Sequence, residues 1–314
     1  MSHPVANESL TKPVSPDSEL PKTESWASDL SALIKLRLSF LVVCTTAVGY
    51  LMGRGVAPIS WGLLLITLTA TALSACGASA LNQWLEKKWD AKMRRTRDRP
   101  LPSGRMHSED ALLFGLLFSL LGVAAMAVFV NFTAAALTFA TILIYVVIYT
   151  PLKRVTEFNT LVGAVPGALP PLIGWTAATG DLGLGGWLLF AILFFWQMPH
   201  FLAIAWMYRD DYRDAGFVML TGRDSTGVVT GRQAVTYAFC LLLVSMLPTM
   251  IGLSGPWYFA GAFVLGGAFL ATAIRFALDR NDKHARQLFF ASIIYLPLLL
   301  ILLVSTPGTP LNHG

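Results

Sequence analysis

Charged residues are scarce in this sequence of 314 residues, of which only 13% are charged and 55% are hydrophobic. A soluble domain usually has about a quarter of its residues charged, so this composition excludes an ordinary water-soluble globule. It also excludes a disordered chain, which needs low hydrophobicity. The hydrophobic residues collect in long runs, unlike the short alternating segments of an outer-membrane barrel. The composition is therefore typical of an α-helical membrane protein.

Cysteine is also rare, since the chain has only Cys44, Cys76 and Cys240, each within a hydrophobic run. No pair has the CxxC spacing, so the sequence predicts neither a zinc site nor a disulfide framework. The first 35 residues combine four prolines with polar residues and lack the apolar core of a cleaved secretory signal. We expect residues 1–35 to be a disordered cytosolic tail, residues 36–305 to form the membrane domain, and residues 306–314 to be a short outer tail.

Nine hydrophobic runs are each close to the length that crosses a hydrocarbon layer of ~30 Å. The first run is short, but Lys35 and Arg37 beside it can extend to the membrane interface. The sequence therefore predicts an all-α, polytopic membrane bundle of about nine transmembrane helices. The runs occupy residues 38–52, 61–81, 111–130, 133–149, 159–178, 187–207, 234–253, 257–276 and 288–304.

Basic residues fall almost entirely on one side of these nine runs. With the N-terminus in the cytosol, all 23 lysines and arginines except Arg54 lie on the cytosolic side, and Asp181 is the only acidic residue on the other side. The positive-inside rule then predicts a cytosolic N-terminus and an outer C-terminus. The net charge of +5 follows from this bias and does not indicate nucleic-acid binding.

An acidic stripe continues out of the second run. Asn82, Glu86 and Asp90 are spaced by four residues, so they share one face of a helix. Two carboxylates and an amide oxygen suit Mg²⁺, which prefers oxygen ligands and leaves positions for phosphate. Arg94 extends the stripe by one turn, although a basic loop with i,i+4 charge pairs would look similar. Further guanidinium groups follow within reach of a polyphosphate, at Arg95, Arg97, Arg99 and Arg105.

A second acidic cluster follows the sixth run on the same side. Asp210, Asp211 and Asp214 alternate here with Arg209 and Arg213. The two clusters together predict a site that closes over one diphosphate and its metal ions, although a solvated loop cluster is the alternative. The spacing leaves open which of the three aspartates binds metal.

Two further features lie near the same side of the membrane. Lys153 and Arg154 follow the fourth run and add positive charge. His200 lies in the cytosolic half of the sixth run, ten residues before Asp210, so it is expected to face the same cavity. A neutral imidazole there suits a base or an iron ligand, and a hydrogen-bonded structural histidine is the alternative. Glycines and prolines between residues 163 and 174 predict an interrupted fifth span that lines a cavity, with small residues for close helix packing as the alternative.

These segments resemble the intramembrane prenyltransferases of the UbiA superfamily, and within it the enzymes that attach a farnesyl group to haem. The resemblance covers about residues 36–304. It lies in Asn82-x₃-Glu86-x₃-Asp90, in Tyr149-Thr-Pro-Leu-Lys153-Arg154, in Trp196-Gln-Met-Pro-His200-Phe201 and in Asp211-Tyr212.

The resemblance implies an Mg²⁺-dependent prenyltransferase domain that uses farnesyl diphosphate as donor and haem b as acceptor substrate. It implies metal ligation by Glu86, Asp90, Asp210, Asp211 and Asp214. Asn82, Glu86, Asp90 and Asp211 are the residues it implies for catalysis. The implied substrate contacts are Arg94, Arg97, Lys153, Arg154, His200, Arg209 and Arg213.

The resemblance also implies a setting for the reaction. Water addition would give haem O for terminal oxidases, in a bacterial inner membrane or, in a eukaryote, the mitochondrial inner membrane. The expected partners are the lipid bilayer and haem A synthase or terminal oxidase assembly factors, with no nucleic acid. A prenyltransferase for a quinone precursor or chlorophyllide and a transporter remain alternatives. A transporter would spread polar residues through the membrane midplane, whereas here they concentrate at one edge.

The charge bias predicts which loops face outward. Cysteines introduced at Gly55 or Gly255 should react with an impermeant thiol reagent in sealed cells, because both positions lie on the outer side. Cysteines at Ser103 or Gly222 should react only after the membrane is opened. Labelling of Ser103→Cys from outside in sealed cells would reverse the predicted orientation.

Overall fold

The chain is helical throughout residues 25–308, the part that this computed structural model describes, apart from turns and a bridge between Ser254 and Pro307. The helices are α1 (Trp26–Leu33), α2 (Leu36–Gly53), α3 (Trp61–Asp90), α4 (Ser108–Phe129), α5 (Phe132–Leu143), α6 (Thr150–Leu152), α7 (Asn159–Thr179), α8 (Leu184–Met207), α9 (Arg209–Asp214), α10 (Leu220–Arg223), α11 (Val228–Met250), α12 (Pro256–Asp279) and α13 (Asp282–Ser305). A π-helical segment, Ile144–Tyr149, joins α5 to α6 as one continuous span.

Nine helical segments in residues 25–308 are long and apolar enough to cross a membrane, which confirms the predicted fold class. The second, α3, has 30 residues and is therefore about 45 Å long, at 1.5 Å per residue. That length exceeds a hydrocarbon layer of ~30 Å. Its last turns, which carry Glu86 and Asp90, therefore extend to the membrane edge.

The N-terminal segment departs from the prediction of disorder through residue 35. Trp26–Leu33 form α1, with Leu33 buried against the loop after α3 and the start of α4. Gln83 donates a hydrogen bond to the carbonyl of Leu33 (2.6 Å), and Arg105 pairs with Asp29 (2.9 Å). These contacts with α3 and its loop are long-range, so local composition did not reveal them. Residues 1–24 and 309–314 of the predicted tails lie outside the described residues.

Glycines allow α2 and α7 to pack closely. A Cβ on Gly49 would overlap the carbonyl of Pro171, and a Cβ on Gly174 would overlap the carbonyl of Thr46. Small residues permit this approach of two backbones inside a membrane. The predicted interruption of the fifth span is therefore wrong, because α7 stays helical through its three prolines against α2. Those prolines are Pro166, Pro170 and Pro171.

The ends of several spans meet at one face of the bundle. Successive spans run in opposite directions, so the start of α2 lies at the same face as the ends of α3, α6 and α8. The predicted acidic and basic residues lie at these ends, which brings distant parts of the sequence to one region.

The contact between α2 and α7 predicts unequal effects of two glycine substitutions. Gly174→Ala should lower the free energy of unfolding by about 1–3 kcal/mol, because the added methyl group meets a backbone carbonyl that cannot easily move. Gly62→Ala is the matched control, since a methyl group added at Gly62 would have no atom within 4 Å. Unfolding of the purified protein in mixed micelles with increasing SDS measures both. Equal stability of the two variants would contradict the packing argument.

Candidate active site

A cavity of about 350 Å³ lies between α2, α3, the α5–α6 span, α7 and α8. This volume is within the range of small-molecule sites. One part of the wall is apolar and comes from the membrane-spanning helices, including Leu38, Val42, Ala75, Ala78, Pro166 and Pro170. The charged part comes from helix ends and loops, and consists of Lys35, Glu86, Asp90, Arg95, Arg99 and Lys153.

Glu86 and Lys153 form an ion pair in this wall. The Nζ atom of Lys153 lies 2.8 Å from Oε1 of Glu86, and both side chains are largely buried. Asn82 donates a hydrogen bond from Nδ2 to Oε2 of Glu86 (3.0 Å), and the same nitrogen donates to Thr150 (3.0 Å). Asn82 is fully buried and donates to the Glu86 carboxylate, and its role in catalysis stays a prediction.

The groups around Lys153 favour the protonated, positively charged form of its side chain. Burial by itself favours the neutral amine, but the neighbouring Tyr149 and Glu86 raise the pKa of Lys153 above its ordinary value. The ammonium group also lies over the Tyr149 ring, 4.5 Å from its centroid. The ion pair with Glu86 therefore favours the charged form of Lys153, in agreement with the positive charge expected from its position in the sequence.

Asp90 is paired with a residue of the loop that follows it. Nη1 of Arg99 donates to Oδ2 of Asp90 (2.7 Å), and the hydroxyl of Thr96 donates to the Asp90 carbonyl (2.9 Å). The second contact replaces a helical hydrogen bond, so α3 ends at Asp90 and the loop turns back toward the cavity. Arg94 therefore does not extend the acidic stripe as expected.

The turn of this loop decides which arginines reach the cavity. Arg95 and Arg99 line it, whereas Arg94 and Arg97 do not, and Arg97 pairs with Asp98 (3.8 Å). Arg154 lies over the Trp89 ring, 3.9 Å from its centroid. Arg94, Arg97 and Arg154 do not line the cavity formed by the described residues, so their contacts with a diphosphate stay predictions.

Lys35 lines the cavity, whereas the sequence predicted that its side chain would extend to the membrane interface. It connects α1 to α2 in a left-handed conformation, with φ of 48°, which non-glycine residues rarely adopt. Its Nζ donates to Oδ1 of Asn82 (2.6 Å) and to the hydroxyl of Tyr145 (3.2 Å). Burial, followed by the charge of Arg99, lowers the pKa of Lys35 to about 7. Its only signal in the sequence was a lysine just before a short hydrophobic run.

The helix α9 presents a tyrosine to the cavity. Tyr212 lines the cavity and accepts a hydrogen bond from Nη2 of Arg95 (3.1 Å), whose guanidinium also lies 5.1 Å from the ring centroid of Tyr208. Asp211 is half-buried beside Tyr212. Tyr212 stands in the segment that carried the family resemblance, but nothing in its type indicated that it would face the site.

The other acidic residues of α9 do not line the cavity that contains Glu86 and Asp90. Arg213 pairs with Asp210 (2.9 Å) and Asp214 (3.6 Å), all three exposed. Arg209, Asp210 and Arg213 line a separate polar cavity of about 200 Å³. Within residues 25–308, no three imidazole, thiol or carboxylate groups come together as a metal site. The two clusters therefore do not form one site in this structure, and metal ligation by Asp210, Asp211 and Asp214 stays a prediction.

His200 lies between α8 and α13 and not in the cavity wall. Its Nδ1 is 2.7 Å from the hydroxyl of Ser292, and its ring stacks between Trp196 and Phe289, with centroid distances of 5.2 and 5.0 Å. The expectation that His200 shares a cavity with Asp210 is wrong, because these contacts turn it toward α13. A role in substrate binding stays a prediction.

Glu86 and Asp90 are chemically suited to Mg²⁺. They lie one turn apart on α3, both line the cavity, and each keeps one carboxylate oxygen that accepts no hydrogen bond from lysine or arginine in the described residues. Mg²⁺ commonly uses one or two carboxylates and completes its shell with water and substrate phosphates. The surrounding basic side chains of Lys153, Arg99 and Lys35 can donate hydrogen bonds to the phosphates, and Lys153 and Arg99 also pair with the two carboxylates.

The Glu86–Lys153 pair predicts a stability effect that a second substitution reverses. Lys153→Met should lower the free energy of unfolding by about 3 kcal/mol, because it leaves a buried carboxylate without its partner. Adding Glu86→Gln should restore most of that loss, since the double variant buries no such charge. Unfolding in mixed micelles measures both. A double variant no more stable than Lys153→Met would show that the pair is not coupled.

Comparisons with known proteins agree with this architecture. Residues 42–294 match the UbiA prenyltransferase family. A protein of Solibacter usitatus named protoheme IX farnesyltransferase is 43% identical over 289 residues, which are 89% of this chain and 99% of that protein. Among solved structures, a digeranylgeranylglyceryl phosphate synthase superposes with a TM-score of 0.76 at 16% identity, over 89% of this chain and 98% of that one.

A second solved structure adds a ligand-bound example of the fold. A UbiA homolog from Archaeoglobus fulgidus bound to GPP and Mg²⁺ superposes with a TM-score of 0.62 at 12% identity, over 88% of this chain and 100% of that one. The family match covers most of the spans, and the relative from Solibacter usitatus is matched almost over its whole length. The chain therefore belongs to the UbiA prenyltransferase family.

Proposed function

We propose that this prenyltransferase moves the farnesyl group of farnesyl diphosphate to a vinyl group of haem b, with addition of water, to give haem O. The observation that carries the proposal is the cavity itself, in which two carboxylates and four basic side chains stand at one end of an apolar chamber. The identity of the two substrates rests on the relatives named protoheme IX farnesyltransferase.

The charged end of the cavity is suited to a diphosphate leaving group. Lys153, Arg99, Arg95 and Lys35 all line the same cavity, although they come from distant parts of the chain. Fixed cations in a water-poor site stabilise the negative charge that develops as the carbon–oxygen bond breaks. Mg²⁺, held by Glu86 and Asp90, would supply further charge neutralisation on the phosphate oxygens.

The apolar end of the cavity is suited to the farnesyl chain. Its wall is built from aliphatic side chains and prolines of α2, α3 and α7, which exclude water and leave the isoprenoid in an apolar environment. Exclusion of water also protects the allylic cation from premature hydrolysis. Tyr145 and Tyr149 face this cavity and present aromatic rings that stabilise positive charge.

The remaining predicted residues contribute if the cytosolic segments close on the substrates. Asp210, Asp211 and Asp214 are proposed as further Mg²⁺ ligands, which requires α9 to move toward Glu86. The same closure would bring in arginines from the loop after α3, from the segment after α6 and from α9. His200 is proposed to contact haem from the α13 side. Those arginines are Arg94, Arg97, Arg154, Arg209 and Arg213.

The cellular setting is part of the proposal. This multi-pass membrane protein would act in a bacterial inner membrane, or in the mitochondrial inner membrane of a eukaryote. Haem O would then pass to haem A synthase or to terminal oxidase assembly factors. Both haem b and the farnesyl chain are apolar enough to arrive through the lipid bilayer.

The decisive experiment supplies the purified protein in lipid nanodiscs with haem b, farnesyl diphosphate and Mg²⁺. Mass spectrometry should detect hydroxyethylfarnesyl haem. Asp90→Asn should reduce turnover by about 10²-fold or more, because the amide keeps the shape of the side chain but loses its charge. Asp181→Asn, on the exposed opposite side, is the matched control and should retain turnover.

Three outcomes are informative. Prenylation of a quinone precursor or chlorophyllide, with none of haem, would replace the acceptor in the proposal. The absence of prenyl transfer to any of them would overturn the proposal. Normal turnover and an unchanged Mg²⁺ dependence in Asp90→Asn would remove this carboxylate from the metal site.

A further inference from the structure

Gln197 places a carboxamide deep in the membrane-spanning part of the cavity. The side chain is 4% exposed and lines the cavity on α8. It stands ten residues before the end of α8 at Met207, a distance of about 15 Å along the helix axis. Glu86 stands only about 6 Å from the end of α3 by the same measure. A polar side chain at this depth in the membrane raises the free energy of the folded protein, so it is a candidate for a functional role.

Both N–H groups of the Gln197 amide donate hydrogen bonds to backbone carbonyls of the protein. Nε2 donates to the carbonyl of Leu193 on the same helix (3.0 Å) and to the carbonyl of Ala164 on α7 (3.3 Å). Because an amide has two N–H donors, these bonds satisfy both and define which atom is nitrogen. The orientation of the carboxamide is therefore fixed by two helices.

The amide oxygen of Gln197 is the part that faces a glycine of the cavity wall. Oε1 lies against Gly167, where a Cβ atom would overlap it, and both residues line the cavity. Within residues 25–308, no donor gives Oε1 a hydrogen bond. The other carboxamide of the wall differs, since Oδ1 of Asn159 accepts from the hydroxyl of Thr160 (3.4 Å). Gln197 thus offers an acceptor in an apolar region.

An acceptor of this kind selects what can lie beside it. A carbonyl oxygen repels phosphate and attracts a hydrogen-bond donor or a positive charge, and in a low-dielectric site both effects are strong. The proposed reaction supplies both partners. It forms a carbocation, and it consumes a water molecule that must be kept from the allylic carbon until transfer is complete.

We infer that Gln197 is a catalytic residue that binds the water captured by the haem-side carbocation. The inference rests on the proposed function. The carbon–oxygen bond of farnesyl diphosphate breaks, and its electron pair leaves with the diphosphate. The farnesyl carbon bonds to the terminal vinyl carbon, which leaves the positive charge on the inner vinyl carbon. The water held by Oε1 bonds to that carbon, and its proton passes to the diphosphate.

Loss of this water has a distinct chemical result. Without a positioned nucleophile, the same carbocation loses a proton to the diphosphate and forms a carbon–carbon double bond. The product is then lighter than hydroxyethylfarnesyl haem by the mass of one water. The composition of the product therefore reports on Gln197, whereas a purely structural role would change only yield or stability.

Two substitutions test the inference in the nanodisc assay. Gln197→Met keeps the length of the side chain and removes the acceptor. Gly167→Ala keeps the amide but displaces its oxygen, because the new methyl group occupies that position. Both should raise the ratio of dehydrated to hydrated product at least about tenfold, the effect of losing one hydrogen bond of about 1.4 kcal/mol. Thr138→Val removes a buried hydroxyl of α5 outside the cavity wall and should leave the ratio unchanged.

The outcomes separate this inference from the proposed function. If wild-type protein makes no farnesylated haem, the proposed function fails, and Gln197 loses its assigned role with it. If wild-type protein makes the hydrated product and both variants give an unchanged ratio, only the inference is overturned. If one variant is unfolded by circular dichroism, the product ratio of the other decides.

Discussion

Charge compensation at the edge of the membrane is the constraint on which this structure depends. In the proposed reaction, Glu86 and Asp90 must be close to an apolar chamber to bring a metal-bound diphosphate beside an isoprenoid chain. At that place, an unpaired carboxylate would be costly. Lys153 and Arg99 provide the compensating charge from a different span and from the following loop. The ion pair between Glu86 and Lys153 thereby holds the end of α3 next to the end of the α5–α6 span.

The architecture and the first half of the site were predictable because they follow from local rules. Hydrophobic runs of membrane-crossing length and a one-sided distribution of arginine and lysine are properties of the sequence alone. The face shared by Asn82, Glu86 and Asp90 follows from helical periodicity, and all three lie as predicted at the end of α3. The position of Lys153 near the acidic stripe was predictable, because Lys153 follows the fourth hydrophobic run on the same side of the membrane.

The rest of the site depends on tertiary contacts that have no local signal. Arg99 reaches Asp90 because Thr96 ends α3 at that residue, and without this turn Arg94 would have been the better candidate. Lys35 enters the site only because α1 docks on Gln83 and sets the following turn. His200 faces Ser292 because α8 packs against α13 on that side. Periodicity gives the faces of a helix, but not the neighbour of each face.

The π-helical segment Ile144–Tyr149 sets the rotation of everything that follows it in the span. Such a segment is an α-helix that has gained one residue in a turn, and it is frequent at functional sites. If the same residues formed a regular α-helix instead, Lys153 would be rotated by about 100° around the axis, the angle of one residue at 3.6 per turn. Lys153 would then turn away from Glu86. The orientation of the whole charged end thus depends on this one wide turn, so a substitution that made the segment regular, while leaving every charged side chain and the chain length unchanged, would still disconnect the cation from its carboxylate.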